Sequence, residues 1–211
     1  MVFLDRTEAG RLLAQKLKIY KNAKAKVYGL PRGGVIVGAE IAKELNLPLD
    51  VVIARKIGHP LQPEFGIAAV SENGHLVKEE KYAATVDEGW FKVQVEKEQT
   101  EARRRKNIYQ PWIRKIPDEG KIAIIVDDGI ATGLTTKAAI LDIKDRKPQK
   151  IILAVPVAPF DIAEKIIPLV DEFIALKIDK DFLGAVGAYY EKFPQATDEE
   201  VIKILRKVNN I

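Results

Sequence analysis

The chain has 211 residues, of which 47% are hydrophobic and 30% are charged, and its formal net charge is +4. This composition supports one sizeable core, and no stretch approaches the roughly 18 consecutive apolar residues of a membrane span. Because the chain has no cysteine and only two histidines, disulfides, thiolate catalysis and cysteine-type zinc sites are excluded, and any metal must bind to oxygen ligands.

The N-terminal segment MVFLDRTEAG is charged too early for a secretory signal. We therefore expect a protein of the cytoplasm with no membrane partner. The small positive net charge fits phosphate-bearing ligands of any size and does not single out nucleic acid.

Helix and strand patterns alternate in the first part of the chain. Asp5, with Glu8 three residues later, predicts the start of a helix. A buried strand follows in AKVYGL (25–30), and then a helix from Val35 to Leu45. LDVVIA (49–54) predicts a second buried strand, because it is a continuous apolar run after its aspartate.

The same alternation resumes near Lys121. The predicted elements are the strand KIAIIV (121–126), a helix from about Thr135 to Asp145, the strand KIILAVPV (150–157), a helix from Asp161 to Ile167 and the strand EFIAL (172–176). Repeated strand–helix–strand units predict a parallel sheet covered by helices on both faces. Ligands of such sheets bind at the carboxyl ends of the strands.

Residues 57–120 interrupt the alternation. Glycines and prolines break the chain first, and GIAAVSENGHLVK (66–78) then predicts a hairpin that turns at Asn73–Gly74. Residues 87–109 predict one long charged helix. We expect an insertion that is partly flexible and able to close over a site.

Four consecutive cations, Arg103 to Lys106, lie within the predicted long helix and raise the alternative of a nucleic-acid-binding surface. Four consecutive helical side chains point in four directions, however, and Glu96, Glu98 and Glu101 precede them. The pattern therefore favours a solvated helix face, and nucleic acid is not a predicted partner.

The segment IIVDDGIATGLTT (124–136) runs from a buried strand into two adjacent acids. Adjacent residues at a strand end point to opposite sides, so Asp127 and Asp128 can present carboxylates at different angles to a polyhydroxylated ligand. The turn 131–135 then leads into a helix N-terminus, whose free N–H groups bind phosphate. Together these features predict a sugar-phosphate site. A Walker loop is excluded because no lysine follows the second glycine.

The segment VDDGIATGLTT resembles the phosphoribosyl-pyrophosphate (PRPP) signature of the type I phosphoribosyltransferases: a hydrophobic run, two acids and a T-G-x-T loop. FLDRTEAG, GLPRGG, ARKIG and the C-terminal half extend the resemblance over nearly the whole chain. It implies that family's α/β fold, a central parallel sheet flanked by helices in a single domain. The core would comprise 1–56 and 121–176, with a flexible hairpin and long helix inserted at 57–120 and a small C-terminal hood at 177–211.

The resemblance also implies roles for individual segments. Asp127 and Asp128 would hold the ribose hydroxyls, Ala131 to Thr135 the 5-phosphate, and Leu30 to Gly33 the pyrophosphate with Mg²⁺. Mg²⁺ is thus the implied cofactor, held through PRPP near the two acids, with no direct protein ligand assigned. The complete implied PRPP-binding set is Leu30, Pro31, Arg32, Gly33, Arg55, Lys56, Asp127, Asp128, Ala131, Thr132, Gly133, Leu134 and Thr135.

The cations of this set fit an anionic leaving group. GLPRGG places Arg32 among residues that let backbone amides approach an anion, just before a helix N-terminus. Arg55 and Lys56, expected to leave the second strand, offer a bidentate guanidinium and a point charge. The structural alternatives are an ordinary strand-to-helix turn and a solvated pair of cations.

The implied reaction is displacement of pyrophosphate from the anomeric carbon by a nitrogen nucleophile. Mg²⁺, Arg32 and Lys56 would stabilise the leaving diphosphate. Asp127 and Asp128 would favour the positive charge that grows on the ribose. These four residues are the implied catalytic set, and positioning matters more than covalent chemistry.

The acceptor is the least determined part of this interpretation. Oxopurine members carry an acid where this chain has Ala131, which disfavours hypoxanthine and guanine. The candidates for the acceptor pocket are Glu64, Phe182, Val186 and Tyr189, although aromatic residues at this spacing also pack small cores. Glu64, His59 and Glu72 are candidates for a general base, and each is equally an ordinary loop residue.

The sequence thus predicts a Mg²⁺-dependent transferase that moves the phosphoribosyl group of PRPP to a small nitrogenous, nucleobase-like acceptor, with purine salvage as one setting in nucleotide metabolism. The resemblance implies a homodimer. The alternative is a non-catalytic regulatory protein that binds PRPP; Arg32, Lys56 and both acids weigh against it.

Replacing both acids, Asp127→Asn with Asp128→Asn, should weaken PRPP binding sharply, because neutral amides lose the charge-assisted bonds to the ribose hydroxyls. Isothermal titration calorimetry of both proteins with PRPP and Mg²⁺ measures the change. Unchanged affinity would contradict the ribose assignment.

Overall fold

A five-stranded parallel sheet organises the chain in the computed structural model, which describes residues 2–211. The strands are β1 (Ala25–Gly29), β2 (Leu49–Val51), β3 (Ala54–His59), β4 (Gln62–Ser71), β5 (Leu76–Lys78), β6 (Ile122–Val126), β7 (Lys150–Pro159) and β8 (Glu172–Asp179). The helices are α1 (Arg6–Lys16), α2 (Gly33–Leu45), α3 (Glu80–Ala83), α4 (Glu88–Tyr109), α5 (Leu134–Asp145), α6 (Phe160–Ile166) and α7 (Asp198–Asn209).

The order of strands in the main sheet is β2-β1-β6-β7-β8, and every neighbouring pair is parallel. The predicted α/β class with a parallel sheet is therefore confirmed. Gly29, the last residue of β1, pairs with Val126, the last residue of β6. The two strands consequently end at the same level, and the loops that follow them leave the sheet side by side.

Helices cover both faces of the sheet, as the alternation of strands and helices predicted. Val27 faces a core that includes residues of α1, α2 and α7, such as Ile41 and Leu205. Its neighbour Tyr28 faces the opposite core, which includes Ile140 of α5. This division follows from the two-residue period of a strand, which directs successive side chains to opposite faces.

Local signals set the starts of several helices. The Asp5 carboxylate accepts a hydrogen bond from the Glu8 backbone N–H at 2.8 Å, which confirms the predicted cap of α1. At α7, Thr197 and Glu200 form a reciprocal capping box. The helix predicted from Val35 begins two residues earlier, at Gly33.

The predicted second strand, 49–54, is wrong at its C-terminal end. β2 stops at Val51, and Ala54 instead begins β3, where it pairs with Ser71 of β4. The apolar run therefore crosses from the parallel sheet into a separate antiparallel sheet of order β3-β4-β5. The turn at Asn73–Gly74 joins β4 to β5, as predicted, and Gly74 has a positive φ of 96° there.

The antiparallel sheet of the insertion lies between two helices. Ile57 and Ile67 pack against Trp90 and Phe91 on one side, around the long helix α4. On the other side Ala69 of β4 packs against Leu134 and Ala138 of α5. The insertion is thus attached to the helix that follows the acidic turn. Its predicted flexibility stays a prediction.

The basic run of α4 is engaged within the protein. Arg104 and Arg105 both bind the Glu101 carboxylate, and the Arg103 side chain donates to the Glu72 carbonyl oxygen at 3.1 Å. Lys106 is half-buried and donates to the Val51 carbonyl oxygen at 3.2 Å. Arg103 and Arg104 are exposed, as expected for a solvated helix face, whereas Arg105 and Lys106 are half-buried.

The chain after β8, predicted as a small C-terminal hood, also packs against the core of the protein. A short 3-10 turn spans Val186–Tyr189, and α7 then packs on α2 and β2. The Asn209 side chain bonds the backbone N–H and C=O of Leu49 at 3.2 and 2.8 Å. No helix within the described chain is long and apolar enough to cross a membrane.

Leu205→Ala should destabilise the protein by about 2–5 kcal/mol, because Leu205 is fully buried where α7 meets the sheet and its loss leaves a cavity. Urea denaturation measures the free energy of unfolding. Ile19→Ala is the matched control: Ile19 is 80% exposed, and its replacement should cost less than about 0.5 kcal/mol. Equal costs for the two variants would contradict the packing of α7.

Candidate functional site

Two acids with different surroundings follow β6 directly. Asp127 uses Oδ1 to accept the backbone N–H of Asp128 at 2.8 Å, and it forms no ion pair with any residue between 2 and 211. Asp128 accepts a hydrogen bond from Arg6 Nε at 2.7 Å, through Oδ2. Both carboxylates are half-buried. The acids therefore lie together, as predicted, but only Asp128 has a cationic partner.

The electrostatics of this acid pair follow from burial and mutual repulsion. Burial and the neighbouring Asp128 charge raise the pKa of Asp127 well above its ordinary value. Burial also raises the pKa of Asp128, and the Arg6 guanidinium opposes that rise. A bound cation, or hydroxyl groups that donate to the carboxylates, would favour their ionised forms.

The loop after the acids ends in a helix N-terminus with free donors. The backbone N–H groups of Leu134, Thr135 and Thr136 have no acceptor among residues 2–211, since α5 begins at Leu134 without a side-chain cap. Gly133 has a φ of 74°, and a Cβ there would lie 2.8 Å from Ile162. The small residue lets the turn pack closely, and its exposed donors suit an anion.

The side chains of this loop differ in exposure. Ala131 and Thr132 are exposed, Thr135 is half-buried, and Thr136 is buried. The structure therefore leaves the Thr132 hydroxyl open to a ligand, whereas the side chain of Thr136 is packed inside the protein.

The loop Leu30–Gly33 lies against the acid pair. The Leu30 N–H donates to the Val126 carbonyl oxygen at 2.9 Å, and the Pro31–Arg32 peptide is cis. A Cβ on Gly33 would overlap Asp128 Oδ2, so the backbone approaches the carboxylate as closely as a glycine allows. The backbone N–H groups of Arg32 and Gly33 have no acceptor within the described chain. The two predicted loops thus meet at one edge of the sheet.

The predicted cations are arranged differently from one another. Arg32 is half-buried just before α2 and forms no ion pair in the described part of the chain. Arg55 pairs with Glu98 of α4 through two nitrogens, at 2.8 and 2.7 Å. Lys56 donates to the Glu64 carbonyl oxygen at 2.8 Å. Arg55 and Lys56 do not leave the second strand as expected, because both lie in β3.

The candidates for the acceptor pocket do not form one surface. Tyr189 is buried, stacks on Phe182 with ring centroids 5.3 Å apart, and donates its hydroxyl hydrogen to Asp179 Oδ2 at 2.6 Å. The Tyr189 ring is therefore packed inside the protein, which matches the alternative of a small core and leaves no face open to an acceptor. Glu64 is exposed on β4 beside Lys56. Val186 contacts the backbone of the acidic turn, since a Cβ on Gly129 would lie 2.5 Å from its Cγ1.

The two other candidates for a general base lie outside the acid pair. Glu72 is buried in an ionic cluster with Lys106 and Arg146, and burial raises its pKa. Asp118, which precedes β6, also joins this cluster, at the opposite end of that strand from Asp127. His59 accepts a hydrogen bond from the Leu61 N–H at 3.2 Å at the β3–β4 turn. Neither side chain contacts the acid pair.

Three residues around the acid pair make contacts that no sequence pattern predicted. Arg6 binds Asp128, and the Tyr190 hydroxyl donates to the Asp128 carbonyl oxygen at 2.6 Å. The Phe193 ring lies under the Arg6 guanidinium, 3.7 Å from its carbon. FLDRTEAG was the available signal for Arg6, but no sequence pattern links it to an acid 122 positions away.

The sequence profile of the phosphoribosyl transferase domain matches residues 5–190. The chain belongs to the phosphoribosyl transferase domain family. The matched range contains both loops and the acid pair, so the site described above lies within the family's domain. The parallel sheet flanked by helices is the fold of this phosphoribosyltransferase family.

Similar proteins support this membership. A Mycobacterium tuberculosis protein named "Putative phosphoribosyl transferase", present in two strains of that organism, is 40% identical over 210 residues, or 99% of this chain and 47% of that protein. The chain thus spans about half the length of the curated relatives it matches. The crystal structure of TT1426 from Thermus thermophilus is 38% identical, covers 98% of this phosphoribosyl transferase chain and 99% of its own, and has a TM-score of 0.79.

A more distant structure shares the fold alone. AQ2163 from Aquifex aeolicus is 15% identical, with a TM-score of 0.51, over 82% of this phosphoribosyl transferase chain and 73% of its own. No group of three or more His, Cys, Asp or Glu residues suited to a metal ion occurs within the described residues.

Asp127→Asn should raise the melting temperature of the ligand-free protein at pH 7, because the neutral amide removes the repulsion between the two acids. The raised pKa of Asp127 means that the folded carboxyl binds its proton more tightly than the unfolded one. Folding therefore loses stability as the pH rises above about 4, and the amide avoids this loss.

Melting curves from pH 4 to pH 8 test this sign, because the advantage of Asp127→Asn should grow as the pH rises. Asp181→Asn, which removes an exposed carboxylate instead, is the control for the change in net charge. If Asp127→Asn and the unaltered protein melted at the same temperature at every pH, the repulsion between Asp127 and Asp128 would be contradicted.

Proposed function

We propose that this protein transfers the 5-phosphoribosyl group of PRPP to a small nitrogenous, nucleobase-like acceptor and releases pyrophosphate. One observation carries the proposal: two carboxylates lie between two loops that follow adjacent parallel strands, and each loop leads to free backbone N–H groups at the start of a helix. A ligand with hydroxyls at its centre and phosphates at both ends matches that order of groups.

In the proposed placement of PRPP, each segment at this edge of the sheet binds a different group of the substrate. The 5-phosphate binds Ala131 to Thr135, where the N-terminus of α5 supplies donors. The ribose hydroxyls donate to Asp127 and Asp128. The pyrophosphate binds the loop Leu30–Gly33, where Arg32 adds a positive charge that forms no ion pair with a carboxylate of residues 2–211.

The proposed reaction is a displacement at the anomeric carbon. The lone pair of the acceptor nitrogen forms the new C–N bond, and the bond from that carbon to the pyrophosphate oxygen breaks with its electrons leaving on the diphosphate. A nitrogen that carried a hydrogen then loses that proton. The protein mainly positions the two reactants and compensates the charges that develop.

The site fits Mg²⁺ bound through the substrate. Mg²⁺ prefers oxygen ligands and commonly binds substrate phosphates with one or two carboxylates nearby. Asp127, with its raised pKa and no ion pair in the described chain, is a group whose ionised form a cation would favour. Bound Mg²⁺ would supply charge neutralisation of the diphosphate.

The proposed roles of the remaining cations differ. Lys56 is held by one backbone carbonyl oxygen and a weak contact with the exposed Glu64 carboxylate, so it can turn toward a diphosphate. Arg55 would have to give up its two bonds to Glu98 first. We assign Arg32 and Lys56 to the leaving group and treat Arg55 as a residue that attaches β3 to α4.

The setting of the reaction is proposed from the family resemblance. It is nucleotide metabolism in the cytoplasm, with purine salvage as one case and a homodimer as the acting form. Exposed Ala131 replaces the acid of oxopurine members, which favours acceptors other than hypoxanthine and guanine.

A non-catalytic PRPP-binding regulator is the second candidate. The observation that favours it is the engagement of both cations of β3, Arg55 by Glu98 and Lys56 by Glu64. With these interactions retained, PRPP would bind, but the negative charge that develops on the leaving diphosphate would not be fully compensated.

Incubation of the protein with PRPP, Mg²⁺ and a pool of nucleobases and small amines tests the proposal, with pyrophosphate release and product masses as the readouts. We expect pyrophosphate and one new ribonucleotide. The Asp127→Asn/Asp128→Asn protein is the matched control and should give neither. PRPP binding without a product would favour the regulator, and absence of PRPP binding would refute both functions.

A further inference from the structure

Arg6 connects both ends of the chain to the acid pair. Its Nε donates to Asp128 Oδ2 at 2.7 Å, and its Nη1 donates to the Pro194 carbonyl oxygen at 2.7 Å. The guanidinium lies 3.7 Å from the centre of the Phe193 ring. The side chain is thus fixed by a carboxylate, a carbonyl oxygen and an aromatic face, and it has little freedom to move.

The surroundings make this ion pair unlike a surface pair. The side chains of Arg6 and Asp128 are 9% and 17% exposed. Removing one partner of such a pair leaves the other charge buried without compensation, whereas an exposed pair loses almost nothing. Asp128 also adjoins Asp127, so an uncompensated charge here would repel the neighbouring acid as well.

The loop Leu30–Gly33, to which we assign the pyrophosphate, covers the other side of the Arg6–Asp128 ion pair. A Cβ on Gly33 would lie 2.8 Å from Arg6 Nε as well as overlapping the Asp128 carboxylate. Tyr190 holds the Asp128 carbonyl oxygen from the C-terminal segment, and its ring stacks on Phe193 with centroids 4.9 Å apart. Asp128 is therefore enclosed by Arg6, the loop and the C-terminal segment.

We propose that Arg6 is a positioning residue for ribose binding: it holds Asp128 against the pyrophosphate loop and compensates its charge, so that both acids keep their places when the site is empty. This inference rests on the proposed function. Arg6 acts through Asp128, since its Nε and Nη1 donate to protein acceptors and only 9% of its side chain is exposed to a ligand.

This role differs from a purely architectural one. If Arg6 only joined the two ends of the chain, its loss would lower stability and would weaken PRPP binding equally whether residue 128 were Asp or Asn. If Arg6 acts through Asp128, its loss should matter only while the carboxylate is present.

A double-mutant cycle separates these cases. The dissociation constant of PRPP with Mg²⁺ is measured by calorimetry for the unaltered protein, Arg6→Gln, Asp128→Asn and the double variant, each shown to be folded by its melting curve. We expect Arg6→Gln to weaken binding about tenfold or more alone, and less than about twofold in the Asp128→Asn background.

Two further variants sharpen the cycle. Arg6→Lys keeps the charge next to Asp128 and should recover part of the affinity; it also serves if Arg6→Gln does not fold. Arg11→Gln is the matched control, because Arg11 lies on the same helix in an exposed ion pair with Glu40, with 64% of its side chain accessible. It should change the dissociation constant less than about twofold.

The outcomes distinguish this inference from the proposed function. An Arg6→Gln protein that binds PRPP normally, or one that loses equal affinity in both backgrounds, would overturn the positioning role and leave the function standing. Failure of the unaltered protein to bind PRPP would refute the function, and the inference would fall with it.

Discussion

The hydrogen-bond ladder between β1 and β6 is the constraint on which the site depends. Because Gly29 and Val126 are paired at the ends of these strands, the two loops that follow them leave the sheet at one level. Parallel strands require crossover connections, and α2 supplies one while placing its own N-terminus at the edge. The loop 30–33 then lies against Asp128, and a shift of one residue in the β1–β6 register would separate the loop from the acid pair.

The acid pair at this edge of the sheet lowers the stability of the ligand-free protein in favour of ligand binding. Two half-buried carboxylates in sequence repel each other, and only one has a cation in contact. The large cores on the two faces of the sheet, and the close packing of the Gly33 backbone against Asp128, offset this loss of stability. Such local conflict is expected where a ligand provides the missing partners.

The sequence predicted the features that depend on neighbours along the chain. Central strands such as 122–126 are continuous apolar runs, and the acidic turn is a local motif. The end of β2 was mispredicted, because only distant Ser71 shows that Ala54 belongs to another sheet. The partners of Arg55 and Tyr189, which are Glu98 and Asp179, could not be predicted for the same reason: no local pattern states which partner a side chain meets in the fold.

The contacts of Arg6 also bear on the synthesis of the protein. Arg6 is translated early, whereas Tyr190, Phe193 and Pro194 appear close to the end of the chain. At about 5–20 residues per second, the ribosome needs roughly 10 to 40 seconds between them. A nascent chain can therefore build most of the parallel sheet while Asp128 still lacks these C-terminal contacts. These contacts form only after residues 190–194 have left the exit tunnel, so the acid pair gains its full set of partners later than the sheet that carries it.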